Sequence, residues 1–255
     1  MPTYRIDLAY DGTGFHGYAK QRDLRTVQGS LETALFHTTG DVGTVVAGRT
    51  DRGVHATGQV VSFAVDEPID TARLRRSLNR QLGPEIAVDR ITAVPDDFHA
   101  RFSAVARRYR YRIWNAPVHA PLIARTVWHV PEPLDVEAMS AAAGHLVGLH
   151  DFASFCRKAP GRSTEREITD ARWGRDGDLL ELWITALAFC HHMVRSIVGA
   201  SVHIGRGDAT PDAMAEILAA RDRAASLGSA PPQGLTLIHV TYPHHPRTQG
   251  SSRPL

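Results

Sequence analysis

The chain has 255 residues, enough for one large domain or two ordinary ones, and 43% of them are hydrophobic and 22% charged, as in soluble globular proteins. A net charge of +2 does not by itself indicate a nucleic-acid partner, and no apolar run of about 18 residues is present, which excludes a membrane-spanning helix. The N-terminus lacks a signal-peptide core, so we expect a cytoplasmic protein.

Residues Thr3–Tyr10 alternate in polarity as a half-buried strand does. The next residues, DGTGFHG, contain GxGxxG, which in a dinucleotide-binding fold must open a helix at its third glycine. Here YAKQRDLR intervenes, and the next helical pattern begins near Thr26. We therefore reject a Rossmann fold and predict a glycine-rich loop that presents Phe15, His16 and Tyr18.

The segment VVAGRTDRGVHATGQVVSF, residues 45–63, holds a glycine-rich loop between two strand-like runs. An aspartate in a loop is often only a turn residue that bonds its own backbone. This loop is longer than a hairpin needs, and its three glycines allow a close approach to a bulky ligand. Its polar side chains are candidates for function: Arg49, Asp51, Arg52 and His55.

Two arginine-rich elements come next. Thr71–Leu82 is predicted to be an amphipathic helix with leucines on one side and arginines on another. A solvated face is the commoner fate of such arginines, but a face without Asp or Glu is also a candidate for phosphate contact. In RYRYRIWN, period-two alternation predicts a strand with Tyr109 on one face and Arg108 on the other.

The second half of the chain repeats the order of the first. We predict a helix from about Asp135 to Val147, two strands joined by the GRDGD turn, a further helix and the closing strand GLTLIHVTYP. This order indicates an α+β protein with two sheet-forming halves, residues 1–103 and 104–243. The tail, residues 244–255, is rich in proline and polar residues and is predicted to be disordered.

The last predicted helix, from about Phe189 to Ile204, carries one arginine, Arg195, in an otherwise apolar stretch. A cation in such surroundings needs an anion as partner. His191 lies four residues earlier, so a helix would place it on the same face as Arg195.

The cysteines and histidines do not indicate a metal site. Cys156 and Cys190 are the only cysteines, and we expect both to be reduced and buried, because two distant cysteines indicate neither a disulfide framework nor a CxxC site. His191 and His192 follow Cys190, but adjacent residues on a helix point in different directions. We therefore predict no metal ligands here.

The segment AGRTDRGVHATGQVVSF resembles the catalytic segment of the tRNA pseudouridine synthase A family. DGTGFHGY, ARRYRYRIWN and FCHHMVRSIVG match further motifs of that family in the expected order, with HDFASF between the last two. The resemblance extends to about Pro243. It departs from the family after the first loop, where Tyr18 and Ala19 stand in place of the usual Trp-Gln, so no role of that glutamine is carried over.

The resemblance implies an isomerase that converts uridine to pseudouridine at positions 38–40 in the anticodon stem-loop of transfer RNA. It implies no cofactor, a homodimer, and two pseudo-repeated halves, each an antiparallel sheet with helices, that merge into one extended sheet around a central basic cleft. By position, Asp51 matches the nucleophile, Tyr109 the residue that stacks on the target base, and Arg195 the partner of the aspartate. The implied substrate-binding residues are Tyr109, Arg49, Arg52, His55, Gln59, Arg108 and His192, of which Arg49 helps to displace the base.

A carboxylate suits this reaction because it can attack ribose C1′ or the base, or remove a proton from the sugar, and then leave. The base must first be extruded from its stack, at a cost of a few kcal/mol. Two other functions fit part of the sequence. A non-catalytic RNA-binding module explains the arginines but gives Asp51 no purpose, and a glycoside or nucleoside hydrolase needs a second carboxylate that the loop lacks.

Overall fold

The computed structural model describes residues 1–157, 161 and 163–243. In this part of the chain, one ten-stranded sheet carries five α-helices. The α+β class and the single extended sheet are therefore confirmed. None of the described helices is both long and apolar enough to cross a bilayer. The tail predicted to be disordered, residues 244–255, lies outside the described residues.

The strands and helices have the following bounds. The strands are β1 (Thr3–Tyr10), β2 (Val45–Val46), β3 (His55–Ala64), β4 (Ile86–Val94), β5 (Ala106–Trp114), β6 (Trp128–His129), β7 (Gly148–Asp151), β8 (Glu165–Asp176), β9 (Leu179–Ala186) and β10 (Leu235–Thr241). The helices are α1 (Val27–Thr39), α2 (Thr71–Leu82), α3 (Val136–Gly144), α4 (Met193–Gly205) and α5 (Ala213–Ala220). The sheet order is β4-β1-β3-β10-β5-β9-β8-β7, with β2 beside β3 and β6 beside β5.

Three of the helices begin where their sequences predict. The side chains of Thr26, Asp70 and Asp135 precede α1, α2 and α3 and accept a hydrogen bond from a backbone N–H of the first turn. On α2, Leu74 and Leu78 are buried against the sheet while the arginines are exposed. The predicted bounds of β1 and α2 are confirmed at both ends.

The two parts of the sheet meet at β10, which returns from the end of the described chain to lie between β3 and β5. β10 runs parallel to β3, pairing Thr236 with His55 and Leu237 with Ala56, and antiparallel to β5. The strands approach closely at Gly58, where an added Cβ would lie 2.1 Å from the carbonyl oxygen of Ile238. Glycine is therefore required at this junction of the sheet.

Two sequence predictions about local structure are wrong, and one helix was missed. Phe15 and Tyr18 are fully buried rather than presented by their loop, because they pack into the core beside β1. Helix α4 begins at Met193, not near Phe189. Helix α5 was not predicted, since its eight residues give only about two turns of hydrophobic periodicity.

The prediction that both cysteines are reduced is also wrong in this structure. Cys156 and Cys190 form a disulfide, with Cα atoms 5.7 Å apart. Their separation of 34 residues conceals the contact, because the fold brings the segment after β7 against the segment before α4. The N–H of Arg157 donates to the carbonyl of His191 at 2.9 Å and holds the same two segments together.

We expect Gly58→Ala to lower the free energy of unfolding by about 1–3 kcal/mol, because its Cβ would force β3 and β10 apart. Urea denaturation followed by circular dichroism measures the change. Gly174→Ala in β8 is the matched control, since a Cβ there has no atom within 4 Å, and its stability should be unchanged or slightly higher. Equal stability of the two variants would show that the junction is not tightly packed.

Candidate active site

The connection between β2 and β3, residues 47–54, is called the Asp51 loop below, and side chains of the sheet hold its backbone. The Gln59 amide of β3 donates to the carbonyl of Gly48 at 2.8 Å and to the Tyr10 hydroxyl at 3.1 Å. The Tyr10 hydroxyl in turn lies 2.8 Å from the hydroxyl of Thr50. These bonds fix the loop next to Asp51.

The glycine-rich segment after β1 supports the loop from its other side. The Tyr18 N–H donates to the carbonyl of Thr50 at 3.0 Å. Gly17 has a φ of 92°, and a Cβ there would lie 3.1 Å from the same carbonyl oxygen and 3.3 Å from the Arg52 nitrogen. The backbone thus passes Asp51 at a distance that only glycine permits. The GxGxxG pattern therefore serves packing against the Asp51 loop.

Three groups that can carry positive charge converge on Asp51, whose side chain is 24% exposed. His191 Nε2 lies 3.1 Å from Asp51 Oδ1, and His192 Nε2 lies 3.6 Å from Oδ2. Arg195 Nη1 lies 3.6 Å from the same Oδ2. The anion predicted as the partner of Arg195 is therefore Asp51.

The two histidines reach Asp51 because they precede helix α4 instead of belonging to it. His192 is the N-cap of α4 and has a left-handed backbone, with φ 67°. Such a conformation costs about 1–3 kcal/mol in a residue other than glycine and is enriched at functional sites. The expectation that adjacent histidines point apart assumed a helix, and it is wrong here.

The arginine of this site is anchored by backbone as well as by Asp51. Arg195 Nε donates to the carbonyl of Ala230 at 2.8 Å, and the Ala230 N–H donates to the Arg195 carbonyl at 2.9 Å. The guanidinium is therefore oriented before any substrate binds. Burial lowers the pKa of His192, while the charge of Asp51 acts in the opposite direction. His192 is accordingly neutral at neutral pH.

Tyr109 lies on β5 beneath the Asp51 loop. It is 8% exposed, and its ring meets that of Phe189 edge to face, with centroids 5.1 Å apart. A Cβ on Gly48 would lie 3.8 Å from its hydroxyl oxygen. Burial raises the pKa of Tyr109, and the charges of Tyr10 and Asp51 act in the same direction. The hydroxyl is therefore a neutral hydrogen-bond donor at neutral pH.

The other residues predicted to bind substrate fall into two groups. Gln59 and His55 are buried and bonded within the protein: the Gly12 N–H donates to His55 Nδ1 at 3.0 Å, and His55 Nε2 lies 2.9 Å from the carbonyl of Arg125. Gln59 thus supports the Asp51 loop and His55 joins Gly12 to Arg125, while their contact with substrate stays a prediction. A second group is exposed at the surface: Arg49, Arg52 and Arg108.

Arg107 and His191 were not among the predicted site residues. The buried guanidinium of Arg107 donates to the carbonyls of Ala47 at 2.8 Å, Arg101 at 2.7 Å and Leu187 at 2.6 Å. It thus joins the start of the Asp51 loop to the segment that leads to α4. The signal was present, since Arg107 falls on the tyrosine face of β5.

A family model described as tRNA pseudouridine synthase matches residues 8–103 and 142–243. The chain belongs to this family. It is 43% identical over 247 residues to the tRNA pseudouridine synthase A of Shigella boydii serotype 4 (strain Sb227), covering 95% of this chain and 92% of that protein. It is 44% identical over 248 residues to the tRNA pseudouridine synthase A of Rhodopseudomonas palustris (strain ATCC BAA-98 / CGA009), covering 95% and 99%.

The family match covers Asp51 and the residues around it but does not cover Tyr109. The tRNA pseudouridine synthase family isomerises uridine to pseudouridine in tRNA, and the matched ranges contain Asp51, His191, His192 and Arg195. Tyr109 lies between the two matched ranges. Its link to the site is therefore spatial, through its position under the Asp51 loop.

We expect Arg195→Met to lower the isomerisation rate about a hundredfold or more, with a much smaller loss of tRNA affinity. The reason is that Arg195 contacts Asp51 and Ala230 and is 15% exposed, which leaves it little access to phosphate. Single-turnover rates and filter binding measure the two effects, and thermal unfolding checks the fold.

The exposed Arg52 provides the comparison. If Arg52, which is exposed, contacts one phosphate as predicted, Arg52→Met should weaken tRNA binding and reduce the slope of log affinity against log salt by about 1. If Arg195→Met instead weakened tRNA binding and reduced the salt dependence while the isomerisation rate stayed at the wild-type value, Arg195 would be a contact to the RNA backbone.

Proposed function

We propose that this protein isomerises uridine to pseudouridine at positions 38–40 in the anticodon stem-loop of tRNA, with Asp51 as nucleophile. The observation that carries the proposal is the convergence of Arg195, His191 and His192 on Asp51, held on a rigid loop. Membership of the tRNA pseudouridine synthase family supports the reaction. The chemistry uses this carboxylate, a phenol and cationic side chains, without a cofactor.

The reaction breaks the bond between ribose C1′ and uracil N1, rotates the base and joins C1′ to C5. C5 then loses its proton and the released N1 gains one, so the composition is unchanged. In this proposal the Asp51 carboxylate attacks ribose C1′ or the base and later leaves, a role for which a carboxylate is suited. The Arg195 guanidinium balances the charge of the carboxylate between these steps, and the two histidines lie within reach of its oxygens. The bonds from Tyr10, Tyr18 and Gln59 keep the loop from moving as the base turns.

The target base reaches Asp51 only after it leaves the RNA stack. We propose that the exposed Arg49 helps to displace it and that Tyr109 receives it. Because only 8% of Tyr109 is exposed, a base can stack on its ring only after a neighbour moves aside. Phe189, which packs against Tyr109 and lies just before α4, is that neighbour in our proposal.

Exposed arginines offer a surface for the RNA backbone. Helix α2 has four exposed arginines, and three of them, Arg73, Arg76 and Arg80, share one side of the helix. Together with Arg52 and Arg108 they would contact phosphates and position the anticodon arm.

The division of the chain into two halves at residue 103 stays a prediction.

We also propose a cytoplasmic homodimer. Its support is the family resemblance together with the size of a tRNA, whose anticodon arm and body span more surface than one small cleft offers. Light scattering across concentrations decides between monomer and dimer.

We expect Asp51→Asn to abolish pseudouridine formation while tRNA affinity stays within a few fold, because the amide preserves shape but removes the nucleophile. A pseudouridine-specific chemical label on unmodified tRNA maps the product. The RNA mass gives the control, since isomerisation leaves it unchanged whereas a hydrolase would release the base. Product from a clean Asp51→Asn preparation would contradict the assignment.

Tyr109→Phe should lower the rate with little effect on binding, whereas Tyr109→Ala should lower both. The phenyl ring keeps a stacking surface, which contributes about 1–3 kcal/mol per base, but it lacks the neutral hydroxyl that can assist proton loss from C5. Rates and affinities of the two variants are compared on one tRNA. Wild-type kinetics in the Phe variant would leave Tyr109 as a platform alone.

A further inference from the structure

We propose that Asp51, His191 and His192 bind a divalent transition-metal cation such as zinc, and that the bound cation blocks isomerisation. One ligand atom from each residue lies within 4.8 Å of the others. Nothing in the sequence pattern predicts this site, because it depends on the backbone turn at His192.

The distances suit a metal of this size. Zinc binds imidazole nitrogen and carboxylate oxygen at about 2.0–2.2 Å, and tetrahedral geometry then separates neighbouring ligand atoms by about 3.3–3.6 Å. The separations here are 3.1 Å for His191 Nε2 to Asp51 Oδ1 and 3.6 Å for His192 Nε2 to Oδ2. The two distances end on different oxygens of Asp51, and all three ligand atoms lie within 4.8 Å of one another, so the side chains must still adjust to close around the ion.

The donor set selects the class of cation. Imidazole suits zinc and its transition-metal neighbours, whereas magnesium and calcium prefer sites built from oxygen alone. Magnesium, which folds the RNA, therefore does not compete strongly for these ligands. Three protein ligands leave a fourth position for water, and the His191 side chain, 48% exposed, gives a path from solvent.

The backbone already holds the histidines in place. The His191 carbonyl accepts a hydrogen bond from Arg157, and the His192 carbonyl accepts one from Ser196 in the first turn of α4. Binding therefore orders little that is not already ordered. Arg195 opposes the ion, because its guanidinium lies 3.6 Å from Asp51. The site is accordingly weaker than a structural zinc centre, and a chelator should empty it.

Inhibition follows because the metal occupies the carboxylate that the reaction needs. This consequence rests on the proposed role of Asp51, whereas binding of the metal does not. Metal binding is therefore measured without RNA, and inhibition of isomerisation is measured separately with RNA.

The test uses the full-length protein with its disulfide closed, so that the sulfurs of Cys156 and Cys190 cannot act as ligands. Cobalt(II) titration without RNA should give one equivalent bound per chain with the intense visible absorption of a four-coordinate site, and added zinc should displace it. Zinc should also inhibit isomerisation of tRNA already folded in magnesium, and chelation should restore the rate.

His191→Gln should weaken cobalt binding and zinc inhibition by about tenfold or more, each compared with the metal-free rate of the same variant. His203→Gln is the matched control, because His203 lies 3.4 Å from Asp208 but outside the three-residue cluster, and it should keep wild-type metal binding.

Equal cobalt binding by wild type and His191→Gln would overturn the site. Equal zinc sensitivity of the two enzymes would overturn the inhibitory role. A third outcome separates the two parts of the proposal. If cobalt binding is lost in His191→Gln but zinc does not change the rate of the wild-type enzyme, the metal site is supported and Asp51 as the nucleophile is contradicted.

Discussion

The pairing of β10 with β3 is the constraint on which the geometry of the site depends. Only two residue pairs join β10 to β3, but β10 also pairs along its length with β5. Strand β10 therefore fixes the positions of β3 and β5 on its two sides. Because β3 begins at His55, directly after the Asp51 loop, the same pairing sets where that loop ends. The loop therefore lies over Tyr109 and opposite the start of α4.

A buried cation strengthens this arrangement. Arg107 is removed from water, and an unpaired guanidinium there would be strongly destabilising. Carbonyls of Ala47, Arg101 and Leu187 accept its donors, so the most favourable state of Arg107 is the one in which the loop and the segment before α4 are both in place. The position of the site and the stability of the core are consequently linked.

Local patterns predicted the elements that depend on local physics. Alternation was sufficient for β1 and β5, and leucine spacing was sufficient for α2. Features that need contacts distant in sequence were not predicted, such as the Cys156–Cys190 disulfide. For the candidate site, the sequence identified Asp51 in its glycine-rich loop, and it paired Arg195 with an anion because a lone charge on an apolar helix requires one.

The histidines show why the rest of the site was not predictable. A periodic apolar pattern continues through Phe189, so it extends the helix over His191 and His192, and a helix turns neighbouring side chains apart. One left-handed residue, His192, ends the helix early and directs both rings to Asp51. The Asp51 carboxylate then has His191, His192 and Arg195 at similar distances. Because a pre-formed cluster of this kind binds whichever cation fits, the geometry that prepares Asp51 for reaction also exposes it to competition from a metal ion.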